Sequence, residues 1–309
     1  MKRVSFHLVL GCLFAAWITP AQAQRDLSKV VIKAEPVADG LWMLTGAGGN
    51  IGACVGGGEV LVIDAQYGPL VPRIRAVVDS LSGGRPLRFV LNTHYHGDHV
   101  SGDSAMAAAG ALIVAHENVR ARMSVTQHNS TFDRTIPPAP AQALPVITFT
   151  DSITFHLGAR EARVFHVPPA HTDGDAAAWF PAADALHLGD LFFNGVYPVI
   201  DASAGGSIDG MIRALDLILP LAGPATKIIP GHGPLGGRAA LLRYRDMLVT
   251  VRDRVTKLVR EGKTLEAVLA EKPTADLDET WGQGFMKPEM FLKMVYQGLA
   301  QNTAGSKRD

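Results

Sequence analysis

Three imidazoles and one carboxylate, those of His94, His96, Asp98 and His99, fall within six residues of the run Asn92-Thr93-His94-Tyr95-His96-Gly97-Asp98-His99. Burying such donors unpaired is costly, so packing gives no reason to gather them. A divalent cation does, because imidazole nitrogens and carboxylate oxygens are its ligands. The run follows the apolar stretch 87–91, which reads as a strand. His94 and His96, two apart, therefore project to the same side of an extended chain. Gly97 permits a turn that swings Asp98 and His99 back toward the same point.

Three later segments repeat this layout, each placing a candidate ligand where an apolar strand runs into a Gly- or Pro-rich loop. His171 lies in Pro168-Pro169-Ala170-His171-Thr172-Asp173-Gly174-Asp175, after 162–167. Asp190 lies in Leu188-Gly189-Asp190, after a strand that starts at Ala185, and His232 lies in Pro230-Gly231-His232-Gly233, after 227–229. Loops leaving one sheet edge can converge on a single site. His166 and His187 belong to apolar strands and His116 stands ahead of a helix, so these read as packed, hydrogen-bonded histidines. Thr172, Asp173 and Asp175 read as partners of the imidazoles, Asp175 first among them. Phe192, Phe193, Asn194 and Tyr197 read either as a substrate wall or as core filling.

The elements that must position these residues come in two strand-rich blocks. The first has strands at 30–32, 41–44, 51–55, 60–64 and 87–91, with Gly56-Gly57-Gly58 as a hairpin turn and 72–81 as a helix. Residues 101–109 read as a helix, 111–115 as a strand and 117–124 as a helix. The segment 127–145 carries Pro137, Pro138, Pro140 and Pro145 and reads as a loop or lid, because proline removes ladder and helix hydrogen bonds. The second block has strands at 147–149, 153–157, 162–167, 176–180 and 185–188. A helix at 208–221, a strand at 227–229 and helices at 238–261, 265–271 and 287–299 complete the chain. Two such blocks, each followed by helices, predict a layered αββα arrangement.

The chain has 309 residues, 47% hydrophobic and 19% charged, enough for a sizeable core. Lys2 and Arg3, a mostly apolar 4–18 and Ala21-Gln22-Ala23 read as a signal peptide cleaved after Ala23, which predicts a periplasmic or secreted protein. The apolar stretch falls short of the about 20 residues that a spanning helix needs. Gly11-Cys12 resembles a lipobox, but the apolar run continues beyond it where a mature lipoprotein should be polar. Cleavage after Ala23 leaves Cys54 as the one cysteine, without a disulfide, reading as a small buried hydrophobe. It also leaves 27 basic against 29 acidic side chains. Such near-neutrality gives no reason to expect nucleic acid or anionic lipid as a partner.

Taken in order, His94-x-His96-x-Asp98-His99, His171, Gly189-Asp190 and Gly231-His232 resemble the motifs of the metallo-β-lactamase superfamily. Val60-Leu61-Val62-Ile63-Asp64 resembles its first motif. The resemblance implies a four-layer αββα sandwich with additional C-terminal helices: a catalytic domain over 24–236 and a helical region over 237–309 packed on it. It also implies one metal on His94, His96 and His171, a second on Asp98, His99 and His232, and Asp190 bridging both. Donors without thiolate suit two zinc ions at about 2.0–2.2 Å per bond, and iron or manganese would accept the same set. Asp64 would orient ligands rather than bind metal itself. Two ions about 3.5–4 Å apart can share a water and lower its pKa to about 7. Hydroxide would then attack a carbonyl without any Ser, Cys or Lys nucleophile, and Asp98 would orient it and relay its proton.

The implied reaction is hydrolysis of a carbonyl C–N, C–O or C–S bond in a small-molecule substrate. β-Lactamase activity suits an exported protein, yet the β-lactamase subclasses typically place Cys or Ser where Asp190 stands. A bridging Asp resembles the thioesterase, lactonase and phosphodiesterase-like members. A lactonase or thioesterase of glyoxalase II type is the alternative, although a cytosolic thioester does not fit an export signal. A metal-binding protein without catalysis is the reading from a different class, and turnover by purified protein separates it from the others.

Overall fold

The computed structural model describes residues 26–129 and 131–305, with side chains to residue 300. The basic and apolar start, Cys12 and the cleavage expected after Ala23 lie outside the described residues. The first block forms strands β1 (Lys33–Ala38), β2 (Leu41–Thr45), β3 (Ile51–Gly56), β4 (Glu59–Ile63), β5 (Leu87–Leu91) and β6 (Leu112–His116). A separate hairpin of β7 (Gln127–Asn129) and β8 (Arg134–Ile136) precedes β9 (Ile147–Phe149). Strands β1 to β6 and β9 make a seven-stranded sheet in the order β1-β2-β3-β4-β5-β6-β9. The second block, β10 (Ser152–Leu157), β11 (Arg160–His166), β12 (Ala176–Phe180), β13 (Ala185–His187), β14 (Lys227–Ile229) and β15 (Gly236–Gly237), makes a six-stranded sheet in sequence order.

Alternation along the strands builds the layers, because successive side chains of a pleated strand point to opposite faces. Leu41, Met43, Leu61, Ile63, Leu91 and Val114 meet Phe155, Leu157, Val164, Ala178 and Ile229 of the other sheet in a buried cluster between the two. Their neighbours Leu44, Val60, Val62, Val90 and Ile113 face outward and pack on Val71, Ile74 and Val78 of α1 (Val71–Ser82). Short helices α2 (Gly97–Val100), α3 (Asp103–Ala108) and α4 (Glu117–Met123) follow β5 and β6. Over the outer face of the second sheet, Leu186 and Ile228 share a cluster with α5 (Ile208–Ile218) and α6 (Arg238–Arg260). The remaining helices are α7 (Leu265–Glu271), α8 (Asp278–Trp281) and α9 (Pro288–Gly305). Phe291, Leu292 and Val295 of α9 join the α5–α6 cluster. The result is the expected αββα sandwich with added C-terminal helices. No described helix is long and apolar enough to cross a membrane.

Several local expectations shift. The strand expected at 30–32 forms at Lys33–Ala38 instead, where Val31 is 68% exposed and the paired edge bulges between Pro36 and Ala38. Proline is tolerated at such an edge, since its missing N–H breaks no interior ladder. The helix expected over 101–109 shortens to α3, and α2 forms ahead of it, with a break between the two. At the break, a side chain on Gly102 would overlap the Ala65 carbonyl. The Pro-rich 127–145 segment contains the β7–β8 hairpin and a short turn of helix at Ala141–Ala143.

Strand direction explains why the loops converge. β4, β5 and β6 run parallel in the first sheet. In the second, β11 and β13 both run antiparallel to β12, and β14 is parallel to β13. The loops after β11, β13 and β14 therefore open at one edge. Ala176 N donates to Thr93 O at 2.9 Å and joins that edge to the loop after β5.

Candidate metal centre

The seven expected ligands come together as two groups: His94, His96, His171 and Asp190, and Asp98, His99 and His232. Asp190 stands between them. Its Oδ2 lies 3.4 Å from His171 Nε2 and 3.7 Å from His94 Nε2, while its Oδ1 lies 3.1 Å from His99 Nε2 and 3.4 Å from His232 Nε2. Asp98 Oδ2 approaches His232 Nε2 at 3.3 Å and His99 Nε2 at 3.7 Å.

Glycines make this closeness possible. Gly189 adopts φ +50° against the Thr93 side chain, and a Cβ on Gly231 would overlap Asp190 Oδ1. On the opposite side a Cβ on Gly49 would overlap the His99 ring. Asn50 pins the His232 loop, its Nδ2 donating to Pro230 O and Gly233 O at 2.9 Å each.

Hydrogen bonds behind the rings set their tautomers. Asp64, at φ 65°, accepts from Thr93 N (2.8 Å) and Thr93 Oγ1 (2.8 Å), and from His99 Nδ1–H (2.7 Å). With its proton committed to Asp64, Thr93 Oγ1 accepts from His94 Nδ1–H at 3.0 Å. His171 Nδ1–H donates to Val199 O at 2.8 Å. Each donation leaves Nε2 for a ligand role. Asp64 thus bonds the His99 ring directly and reaches the His94 ring through Thr93. Asp175 acts on the loop rather than on a ring: it accepts from His171 N (2.7 Å), Thr172 N (2.9 Å) and Thr172 Oγ1 (2.6 Å). Asp173 pairs with Arg122 at 2.6 Å.

A cation fits this arrangement because the site leaves polar atoms unanswered. His94 Nε2, His99 Nε2 and Asp190 Oδ1 are buried without a hydrogen-bond partner; the 3.1 Å approach of the last two lacks hydrogen-bond alignment. Each such atom costs about 1–3 kcal/mol when left unpaired. Burial, together with charge at His99, holds His94 well below the usual imidazole range, and burial brings His171 down to about 4. Both are neutral at pH 7, the form a metal needs. Burial raises Asp190, but His232 and His99 outweigh it and hold the carboxyl well below the usual range. Burial also opposes ionisation of Asp98, and His99 and His232 overcome it. In return, Asp190 and Asp98 lift His232 to about 9 against its own burial.

His116, His166 and His187 have structural roles. His166 Nδ1–H donates to Asp175 O (2.8 Å) and its ring stacks on His116 at 3.8 Å, while His116 caps α4 by accepting from Asn118 N. His187 lies 3.3 Å from Asn50 O and accepts from Gly189 N. Phe192, Phe193 and Tyr197 are fully buried core residues, although Phe193 stacks on the His232 ring at 5.2 Å. Asn194 Nδ2 is tied to Pro234 O. The aromatic group open to solvent beside the site is Phe285, 56% exposed and 5.7 Å from the His232 ring. Sequence reasoning also missed Asp201, whose buried carboxylate accepts from His96 Nε2 at 2.9 Å. Neither residue belongs to a motif or follows a strand.

Residues 44–232 match the family model described as the metallo-beta-lactamase superfamily. The chain is 32% identical over 232 residues to a hydroxyacylglutathione hydrolase from Methylococcus capsulatus, covering 70% of this chain and 76% of that one. It is 26% identical over 176 residues to a metallo-beta-lactamase type 2 from Bacteroides fragilis, covering 56% of this chain and 62% of that one. A metallo-beta-lactamase structure from Pontibacter korlensis shares the fold with a TM-score of 0.59 at 18% identity, over 71% of this chain and 99% of that chain. The family model spans more than half of the sequence and ends at the last of the clustered histidines. The chain therefore belongs to the metallo-beta-lactamase superfamily, as a metal-dependent hydrolase.

Proposed function

We propose that the protein is an exported dinuclear zinc hydrolase that cleaves the carbonyl C–O, C–S or C–N bond of a small molecule. The observation that carries this reading is Asp190, whose two oxygens reach different histidine groups. A carboxylate so placed suits two ions, one on His94, His96 and His171 and one on Asp98, His99 and His232. Zinc bound there supplies Lewis acidity toward a carbonyl oxygen and toward water. Asp98, 28% exposed and held ionised, is the group that orients the attacking water and accepts its proton. The Phe285 ring offers an apolar surface beside His232 to the departing part of the substrate.

Aspartate at position 190 favours ester, lactone or thioester substrates, and the 32% identity to a hydroxyacylglutathione hydrolase supports the same preference. β-Lactam hydrolysis is the second activity, supported by the similarity to a metallo-beta-lactamase type 2. Export rests on Lys2, Arg3, the apolar 4–18 and Ala21-Gln22-Ala23. The deciding experiment pairs zinc analysis of the protein beginning at Gln24 with a panel of lactones, thioesters, phosphodiesters and β-lactams. Zinc-dependent turnover of a lactone or thioester above that of β-lactams is expected. Zinc bound without turnover of any of them would favour a non-catalytic role.

A further inference from the structure

We propose that Asp201 is a positioning residue that holds His96 in the tautomer able to accept a cation. The proposal rests on reading His94, His96 and His171 as ligands of one ion. His96 and His171 face each other, Nδ1 to Nε2, at 2.8 Å. Left to themselves, two neutral imidazoles at that distance close into a hydrogen bond, one ring donating and the other accepting. Such a bond would engage the lone pair of one facing nitrogen and leave the other protonated, so that neither could bind a metal.

The segment 199–201 prevents this on both sides. Val199 O accepts a hydrogen bond from His171 Nδ1–H (2.8 Å), so His171 Nε2 presents a lone pair. Asp201 Oδ2 accepts a hydrogen bond from His96 Nε2–H (2.9 Å), so His96 Nδ1 presents a lone pair too. A carbonyl and a carboxylate only accept, and each ring must therefore turn its basic nitrogen toward the other. Two lone pairs at 2.8 Å repel until a cation lies between them. Asp201 N also donates to His171 O at 3.0 Å, so one residue ties both histidine segments.

Asp201 is built to keep its charge. It is fully buried, and the donors that surround its two oxygens favour the carboxylate over the acid. Tyr95 Oη–H donates to Oδ2 at 2.6 Å, Asn129 Nδ2 donates to the same oxygen at 3.2 Å, and Ser203 Oγ–H donates to Oδ1. Asn129 ends β7, so the β7–β8 hairpin is anchored on the atom that orients His96. An amide at position 201 would lift the constraint, since its NH2 can donate to His96 Nε2 and allow the proton to move to Nδ1.

The test is 15N NMR of the histidine rings in chelator-treated protein, followed by zinc titration against a competing chelator. His96, identified by its loss in His96→Gln, is expected to carry its proton on Nε2 before zinc is added. Asp201→Asn is expected to shift that proton toward Nδ1 and to weaken zinc binding about 10–100-fold, the usual effect of removing a ligand's supporting partner. Ser203→Ala removes a donor to the other oxygen and should keep the wild-type tautomer. A wild-type His96 protonated on Nδ1 would overturn the proposal, as would Asp201→Asn with wild-type tautomer and zinc affinity. The wild-type spectrum decides the matter even if Asp201→Asn does not fold. Wild-type protein with the expected tautomer and no affinity for zinc would count against the dinuclear reading and leave the role of Asp201 in orienting His96 intact.

Discussion

Asp190 differs from the other candidate ligands in serving both groups, and its replacement is the most informative single change at the site. Asp190→Asn keeps the size and removes the charge between the two positions. Zinc content is expected to fall from two to one, with turnover falling at least about 100-fold, as when a preorganised charged group is removed from an active site. Full zinc content and full rate would make Asp190 a bystander. Asp103 tests charge away from the ligands. It is fully buried, its Oδ2 has no partner, and burial raises its carboxyl well above the usual range against the hydrogen bond from Asn92. A raised acid contributes most below its unfolded pKa, and that contribution is lost as pH rises through the folded value. Asp103→Asn should therefore match the wild type near pH 4 and melt higher at pH 8, by about 1–3 kcal/mol of relieved desolvation. A thermal-melt difference that does not change with pH would contradict it. The seven clustered candidate ligands were legible because each follows an apolar strand in a Gly- or Pro-marked loop. Asp201 was not: it stands eleven residues after Asp190 with no such context, and only the folded path brings it to His96.

Among the elements, segments with clear periodicity and flanking breakers set their own type. Leu87–Leu91, Ala176–Phe180 and Leu265–Glu271 form where their periodicity and flanks place them. The elements that escaped sequence reading are those defined by a partner rather than by composition. β1 contains Glu35 and Pro36 and exists because it pairs with β2; β15 is two glycines paired with β14. The β7–β8 hairpin lies in a stretch that reads as loop, and Asn129 and the Ala139 N to Met123 O bond hold its surroundings down. Loop backbones close to the ligands carry their own prediction. Gly231→Ala would force its Cβ into Asp190 Oδ1 and the Gly189 backbone, so Asp190 must move. The variant is expected to keep its far-ultraviolet circular dichroism and to lose affinity for one zinc ion by about 10–100-fold, the range seen when support of a ligand is disturbed. Unchanged titration of both ions would show that the loop relaxes freely.

The whole molecule sets two sheets face to face and covers them with helices, which leaves the loop edge for chemistry. Leu27 and Val30, near the start of the described residues, pack against the α1-side cluster, and Arg73 donates to Leu27 O and Ser28 O. A chain beginning at Gln24 keeps these contacts and is expected to melt where the unprocessed form does, because a segment cleaved as a signal is dispensable to the mature fold. A large loss of stability on removing 1–23 would mean that the segment belongs to the fold. In the proposed centre one carboxylate, that of Asp190, holds two ions between two histidine groups. Anomalous diffraction from zinc-loaded crystals measures it directly. Two zinc peaks about 3.5–4 Å apart are expected, one on His94, His96 and His171, the other on Asp98, His99 and His232, with Asp190 in reach of both. A single peak at saturating zinc, with Asp98, His99 and His232 unliganded, would contradict it.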